Sequence, residues 1–191
     1  FLMNSSSEMI AKKSMNHFNI RASHEKEKML EWHNKIQEMG SRTRLGIPIT
    51  IATDPRHGTS KDFGANIYTP YFSSWPSALG MGAINDSILT KEFGKIVREE
   101  YKSLGIRLAL GPMADTSTEP RWARVNGTFG ENAEINAKLI AAYINGLQGD
   151  SLDKSSVAAM VKHFPGSGPV DGGKDSHFPP GLQSYKGNNF D

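Results

Sequence analysis

Short apolar runs alternate along this chain with longer segments of helical periodicity, and this alternation most constrains its fold. The runs predict buried strands at 47–51, 106–110 and 158–161, and the periodic segments predict helices at 25–39, 87–104 and 132–148. Strands that alternate with helices in this way pair in parallel, as β-α-β units. The chain is therefore predicted to be an α/β protein with a parallel sheet.

The length of the chain bears on which α/β architecture it forms. A complete (β/α)8 TIM-type barrel needs about 250 residues. This chain has 191 residues and shows three clear strands, or four if the N-terminal segment supplies one. We therefore predict an incomplete (β/α)8 barrel, as one partial domain over 1–191, with loop-rich stretches at 61–86 and in a tail at 165–191. The alternative is a small, complete, doubly wound sheet.

Composition and charge exclude several functional classes. The net charge is +2 without a dense stripe of basic residues, so nucleic acid is not predicted as a partner. No apolar stretch approaches the roughly 18 residues of a membrane span, so a membrane is not predicted either. The absence of cysteine excludes disulfides and thiolate metal sites. Neither a signal peptide nor an initial methionine is present, so a processed or excised piece is expected.

Polar residues stand where the predicted strands end, and in a barrel the C-terminal strand ends face the active site. Asp54 belongs to the motif DPRHG, in which Pro55 disfavours a helix and holds the carboxylate at a strand-to-loop corner. A carboxylate fixed in this way can accept hydrogen bonds from two neighbouring sugar hydroxyls. The alternative is an aspartate that only caps a turn.

The loop TEPRWARVNGTFGEN carries two arginines and a tryptophan. The guanidinium groups of Arg121 and Arg124 can bind hydroxyls or a carboxylate in a bidentate manner. Alternatively, one of them pins the loop by pairing with a nearby acid, for which the candidates are Asp115, Glu119 and Glu131. Trp122 is either a platform on which a sugar stacks or a buried loop anchor.

Lys162 and His163 give the strongest local signal, because they follow an apolar run directly and precede Phe164-Pro165-Gly166. A lysine in this position is costly to bury unless it is paired or serves a ligand. Adjacent strand residues normally point to opposite faces, so both side chains can serve one pocket only if the backbone kinks there. The alternative is a solvated strand end.

The tail contains Asp171, Asp175 and His177, at a spacing that can hold a divalent metal ion. A polar lid is the preferred interpretation of these residues. The glycines of the tail do not match GxGxxG, so neither a phosphate nor a dinucleotide site is predicted. We therefore predict no metal ion and no cofactor.

Three motifs, in this order, resemble the N-terminal barrel of glycoside hydrolase family 3: D-x-x-H-G, then P-x-A-D with PRW-x-R and FGE, then KHFPG-x-G. The resemblance covers the chain from about Phe18 to its end, and the tail is similar to the β-glucosidase branch. It implies a retaining, exo-acting β-glucosidase that hydrolyses terminal non-reducing β-D-glucosyl residues of a β-glucoside or oligosaccharide. It also implies that the terminal sugar is gripped by Asp54, Arg124, Lys162 and His163.

The same resemblance places the bond-breaking groups outside this sequence. In the family the nucleophilic aspartate lies on a later strand, in a motif resembling S-D-W, and the acid/base glutamate lies in a following domain. No S-D-W occurs here, and Asp191 does not match it. We therefore expect no catalytic residue on this chain, an inactive isolated chain, and the rest of the barrel and a C-terminal domain as partners. The resemblance suggests a bacterial periplasmic or secreted location.

Three other functions are left open by the residues. A non-catalytic carbohydrate-binding module would grip a sugar without hydrolysing it. A β-N-acetylhexosaminidase-like glycosidase is less favoured, because that branch reads KHFPGHG and this chain has Ser167 in place of the histidine. A metal-dependent hydrolase would use Asp171, Asp175 and His177.

Overall fold

The computed structural model describes residues 2–21, 23–59, 67 and 69–175. Four short strands form one parallel sheet, in the order in which they follow along the chain. They are β1 (His17–Asn19), β2 (Thr50–Thr53), β3 (Leu108–Ala109) and β4 (Ala158–Ala159). A strand order that follows the chain without a reversal is the winding of a barrel and not of a doubly wound sheet.

Within the described residues there are five α-helices, one before the first strand and four in the connections between strands. They are α1 (Leu2–Lys13), α2 (Lys26–Ser41), α3 (Ala78–Ile84), α4 (Ser87–Ser103) and α5 (Ala133–Gln148). Two short 3₁₀ helices, at Val125–Gly127 and Asp171–Gly173, lie in the loops after β3 and β4. Among the described helices, none is both long and apolar enough to cross a membrane.

Polar side chains cap three of the helices at their first turn. The carboxylate of Asp86 accepts from the backbone N–H groups of Ile88 and Leu89 at the start of α4. Asn132 caps α5 and Ser77 caps α3 by the same kind of bond. Each cap stabilises its helix by about 1 kcal/mol, because it satisfies an N–H group that has no partner within the helix.

The main hydrophobic core lies between the sheet and its helices. Completely buried side chains from five parts of the chain meet there: Ile36, Ile51, Val97, Leu147 and Val157. Burial of each such side chain contributes about 1.5–3 kcal/mol relative to exposure. The core therefore holds the C-terminal ends of the strands, and the loops that follow them, in fixed positions.

Helices α4 and α5 touch through their backbones at two glycines. A Cβ atom on Gly94 would lie 2.5 Å from the carbonyl oxygen of Tyr143, and one on Gly146 would lie 2.3 Å from that of Lys91. Real carbon atoms do not approach an oxygen so closely. The two helices can pack at this distance only because both positions lack a side chain.

The structure confirms the predicted strands and helices and adds three elements. The N-terminal segment does supply a fourth strand, β1, and α1 precedes it. The prediction of a loop at 61–86 is wrong for Ala78–Ile84, which forms α3. This helix is only seven residues long and consists largely of alanine and glycine, so its sequence shows no clear helical repeat of apolar residues. The side chain of Ser77 caps its first turn. Of the predicted tail, residues after 175 lie outside the described part of the chain.

Candidate functional site

The loops that follow β2, β3 and β4 bring together most of the predicted sugar-binding residues. Asp54 directly follows β2, and the pairing of β3 with β4 continues past both strands as a parallel bridge between Met113 and Lys162. The backbone N–H of Lys162 donates to the carbonyl of Pro112 at 3.0 Å. These backbone contacts hold the segment around Lys162 beside the loop after β3.

An ion pair joins the ends of β2 and β4. Nζ of Lys162 lies 2.7 Å from Oδ1 of Asp54, and both side chains are about one fifth exposed. The second carboxylate oxygen of Asp54 faces the side-chain amide of Asn19, which donates at 3.5 Å. Burial would raise the pKa of Asp54, but the hydrogen bond and positive charge of Lys162 together outweigh burial and lower it. Asp54 is therefore a carboxylate near neutral pH.

His163 is bound to an acid that the sequence had suggested only as a partner for an arginine. Its Nδ1 atom lies 2.9 Å from Oδ2 of Asp115, a side chain with no exposed surface. The other oxygen of Asp115 accepts from the backbone N–H of Ser167. Lys162 and His163 are joined by a cis peptide bond, and each binds an acid from a different strand end. The solvated strand end is therefore excluded for this pair.

Arg124 lies in the loop after β3, directly before the 3₁₀ helix Val125–Gly127. Its guanidinium group is buried, contacts the sulfur of Met113 at 3.8 Å, and lies 5.8 Å from the centre of the Trp122 ring system. Met113 is the residue that bridges to Lys162. Met113 thus lies between Arg124 and the segment of Lys162.

Arg121 forms an ion pair within the loop, whereas Trp122 anchors the loop to the segment after β4. The guanidinium of Arg121 forms a bidentate pair with Glu119, at 2.9 and 2.7 Å, and this pair lowers the pKa of Glu119 to about 2. The indole of Trp122 is 1% exposed and its Nε1 donates to Oδ2 of Asp175 at 2.8 Å. Trp122 is therefore a buried anchor and not a sugar platform.

In the alternative interpretation of the tail as a metal site, one of the candidate ligands is engaged by this loop. Asp175 is buried and bound to Trp122, which leaves its Oδ2 engaged. Within residues 2–21, 23–59, 67 and 69–175, no three acidic or histidine side chains are placed to hold a metal ion. His177 lies outside the described residues.

The histidine of DPRHG serves the scaffold. His57 is buried, its Nε2 lies 2.8 Å from a carboxylate oxygen of Glu100, and its ring stacks on Phe72 at 5.0 Å. The same carboxylate accepts from the backbone N–H of Ser73. Burial lowers the pKa of His57 to about 4, and the opposing charge of Glu100 does not offset it. His57 is therefore neutral at pH 7 and ties the loop after β2 to α4.

This burial predicts an acid-sensitive fold. The folded-state pKa of His57 lies below its ordinary value of 6.5, so below that pH the unfolded chain binds the proton more readily. We expect the free energy of unfolding to fall by about 2 kcal/mol between pH 6.5 and pH 5 through this group, and to fall less in His57→Gln. Urea unfolding at each pH measures the two slopes.

Met81→Ala provides the control for this experiment. Met81 belongs to a different part of the core, beside Phe129 and Leu139, so its truncation should lower stability equally at every pH. Equal slopes in the wild type and in His57→Gln would contradict the assignment.

A cavity of about 80 Å³ lies behind these loops. It is lined by Pro55, His57, Met113, Phe93 and Phe129, among others. Asp54, Lys162 and His163 are not part of this lining. Pro55 is next to Asp54 in the chain and Met113 bridges to Lys162, so the cavity adjoins the predicted sugar-binding residues.

The motifs and the fold agree with a known family. The model for "Glycosyl hydrolase family 3 N terminal domain" matches residues 3–186. The chain belongs to glycoside hydrolase family 3. The predicted family and the predicted incomplete α/β barrel of that family's N-terminal domain are both confirmed.

Individual family 3 proteins are similar over nearly the whole chain. Beta-glucosidase C of Emericella nidulans is 49% identical over 191 residues, covering 98% of this chain and 31% of its own. A periplasmic beta-glucosidase/beta-xylosidase of Dickeya chrysanthemi is 43% identical over 178 residues, covering 92% and 27%. The chain thus spans about three tenths of the length of these family 3 relatives.

A solved family 3 structure shares the fold. The family 3 beta-N-acetylglucosaminidase of Paenibacillus sp. superposes with a TM-score of 0.75 at 24% identity, covering 91% of this chain and 31% of that one. At this identity the likeness concerns the fold alone.

Proposed function

We propose that the protein to which this chain belongs is a retaining, exo-acting β-glucosidase, and that this chain supplies one wall of the pocket for the terminal glucosyl residue. The observation that carries the proposal is the pair of Asp54 and Lys162, which joins two strand ends 108 residues apart at 2.7 Å. The name of beta-glucosidase C of Emericella nidulans supports glucose as the sugar.

The chemistry of this wall suits a sugar with several hydroxyls. Asp54 is an acceptor of hydrogen bonds, whereas Lys162 carries three N–H donors around one charge. A ring hydroxyl can donate to the first and accept from the second, so neighbouring hydroxyls are held in one orientation. A ring hydroxyl that is hydrogen-bonded to the protein in this way cannot be linked to a further sugar, so the pocket accepts only the end of a sugar chain.

Lys162 also has an electrostatic effect on the reaction. A positive charge close to the reacting carbon favours the ionised form of a nearby nucleophilic carboxylate. We propose that the nucleophile and the acid/base are supplied by parts of the protein other than the residues of this chain. The isolated chain is accordingly proposed to be inactive, and its proposed partners are the rest of the barrel and a C-terminal domain.

The test uses the protein expressed from the full reading frame that contains this sequence, called the full-length protein below. We expect it to hydrolyse 4-nitrophenyl β-D-glucoside and to release β-glucose first. Proton NMR of the freshly formed product measures which anomer is released. Cleavage of the N-acetyl-β-D-glucosaminide but not of the glucoside would contradict the proposal. Saturable binding of glucose in calorimetry without any hydrolysis would indicate a carbohydrate-binding module instead.

A further inference from the structure

Asp115 has two hydrogen-bond partners, and both lie in the segment after β4. Oδ2 faces Nδ1 of His163 at 2.9 Å, and Oδ1 accepts from the backbone N–H of Ser167. The Asp115 side chain has no exposed surface, whereas that of His163 is 30% exposed. The acid is thus enclosed in the protein, and the imidazole lies between it and the open side of the site.

The partners of Asp115 decide which nitrogen of His163 carries the proton. An ionised carboxylate only accepts hydrogen bonds, so a neutral imidazole next to it must donate from Nδ1. Nε2 is then left without a hydrogen and acts as an acceptor. We propose that Asp115 is a positioning residue, which holds His163 in the Nδ1–H form so that Nε2 accepts a hydrogen bond from a hydroxyl of the bound sugar.

The bond from Ser167 holds the carboxylate of Asp115 in place, and the carboxylate in turn positions the ring of His163. The two bonds together tie both ends of the segment from His163 to Ser167 to the carboxylate of Asp115, which lies in the loop after β3. The role in sugar binding rests on the proposed glycosidase function, whereas the tautomer depends only on the contacts within this chain.

Asparagine at position 115 separates the two roles. It keeps the shape of the side chain but has one acceptor oxygen and one donor nitrogen. The N–H of Ser167 can only donate, so it retains the amide oxygen, and the amide nitrogen is turned towards His163. Nδ1 must then accept, and the proton moves to Nε2. In Asp115→Asn, Nε2 of His163 therefore becomes a hydrogen-bond donor in place of an acceptor, with little change in packing.

The experiment is nitrogen NMR of the full-length protein with 15N-labelled histidine, recorded without substrate at alkaline pH. The signals of His163 are assigned by their loss in His163→Gln. In the wild type we expect the shift of a protonated nitrogen at Nδ1 and of an unprotonated one at Nε2, and the reverse in Asp115→Asn. We also expect kcat/KM for 4-nitrophenyl β-D-glucoside to fall at least about tenfold in Asp115→Asn.

Asp150→Asn is the matched control, because it makes the same chemical change as Asp115→Asn at a side chain that is fully exposed. It should leave both the His163 shifts and kcat/KM as in the wild type. A wild type with its proton on Nε2, or shifts that do not move in Asp115→Asn, would overturn the inference. If Asp115→Asn does not fold, the wild-type shifts alone decide, since only Nδ1–H agrees with the proposal.

The two proposals fail in different ways. The NMR shifts are read without a sugar, so a protein that cleaves no glycoside still supports or refutes the role of Asp115 in setting the tautomer. In an active glycosidase, an unchanged kcat/KM despite the exchanged proton would overturn the role of Nε2 as a sugar ligand.

Discussion

Replacement of Lys162 by alanine should lower kcat for 4-nitrophenyl β-D-glucoside by about a hundredfold or more, which corresponds to ~2.7 kcal/mol of the barrier. The variant loses the donor to the sugar and the positive charge that keeps a nearby nucleophile ionised. It also leaves Asp54, which is about one fifth exposed, without its ion-pair partner at 2.7 Å. All three effects act in the same direction.

Lys95→Ala is the control for this prediction. Lys95 lies on α4 and pairs with Glu92 at the surface, where an ion pair contributes little. Steady-state kinetics and thermal unfolding should be measured on both variants of the full-length protein. An unchanged rate in Lys162→Ala would remove Lys162 from the site, and a rate lost together with the fold would leave the effect unassigned to the pocket.

Arg56→Met should lower the free energy of unfolding by about 3–4 kcal/mol, because several hydrogen bonds of a buried guanidinium are lost together. Arg56 has no exposed surface. It donates to the hydroxyls of Thr53, Ser23 and Thr69, at 2.6 to 3.0 Å, and to the carbonyl of Ile20 at 2.8 Å. Methionine fills a similar space but satisfies none of these acceptors.

The control for Arg56→Met is Arg42→Met, which removes an exposed pair with Glu38 at the end of α2. We expect this change to cost less than about 0.5 kcal/mol. Urea unfolding followed by circular dichroism gives both values. A loss of the same small size in Arg56→Met would show that water or neighbouring groups replace the bonds of the guanidinium.

The longer helices and the buried strands could be predicted because their signals are local. Helix α4 shows a repeating apolar face and a capping aspartate within its own segment. Strand β2 ends at Asp54-Pro55, where proline marks the corner. Helix α3 and helix α1 could not be predicted in this way, since the first is too short to show a period and three consecutive serines separate the apolar residues of the second.

The site could be predicted only as far as its residues stand at strand ends. Asp54, Lys162 and His163 follow apolar runs, which is a signal that the sequence carries. Asp115 and Arg56 were missed as a site residue and a scaffold residue because important partners are distant in the chain. Asp115 and His163 are 48 residues apart, and Arg56 and Ile20 are 36 residues apart. A signal was available: each is an ionisable residue within a few positions of a buried strand, where it must find a partner.

The contact between α4 and α5 has a consequence for the evolution of this sequence. Gly94 and Gly146 occupy one small volume together, so neither can gain a methyl group while the other backbone stays in place. A larger residue at one position requires the helices to move apart, which opens space at the other. The two positions should therefore change together or not at all, and a covariation signal between them in aligned relatives would report this helix crossing without any coordinates.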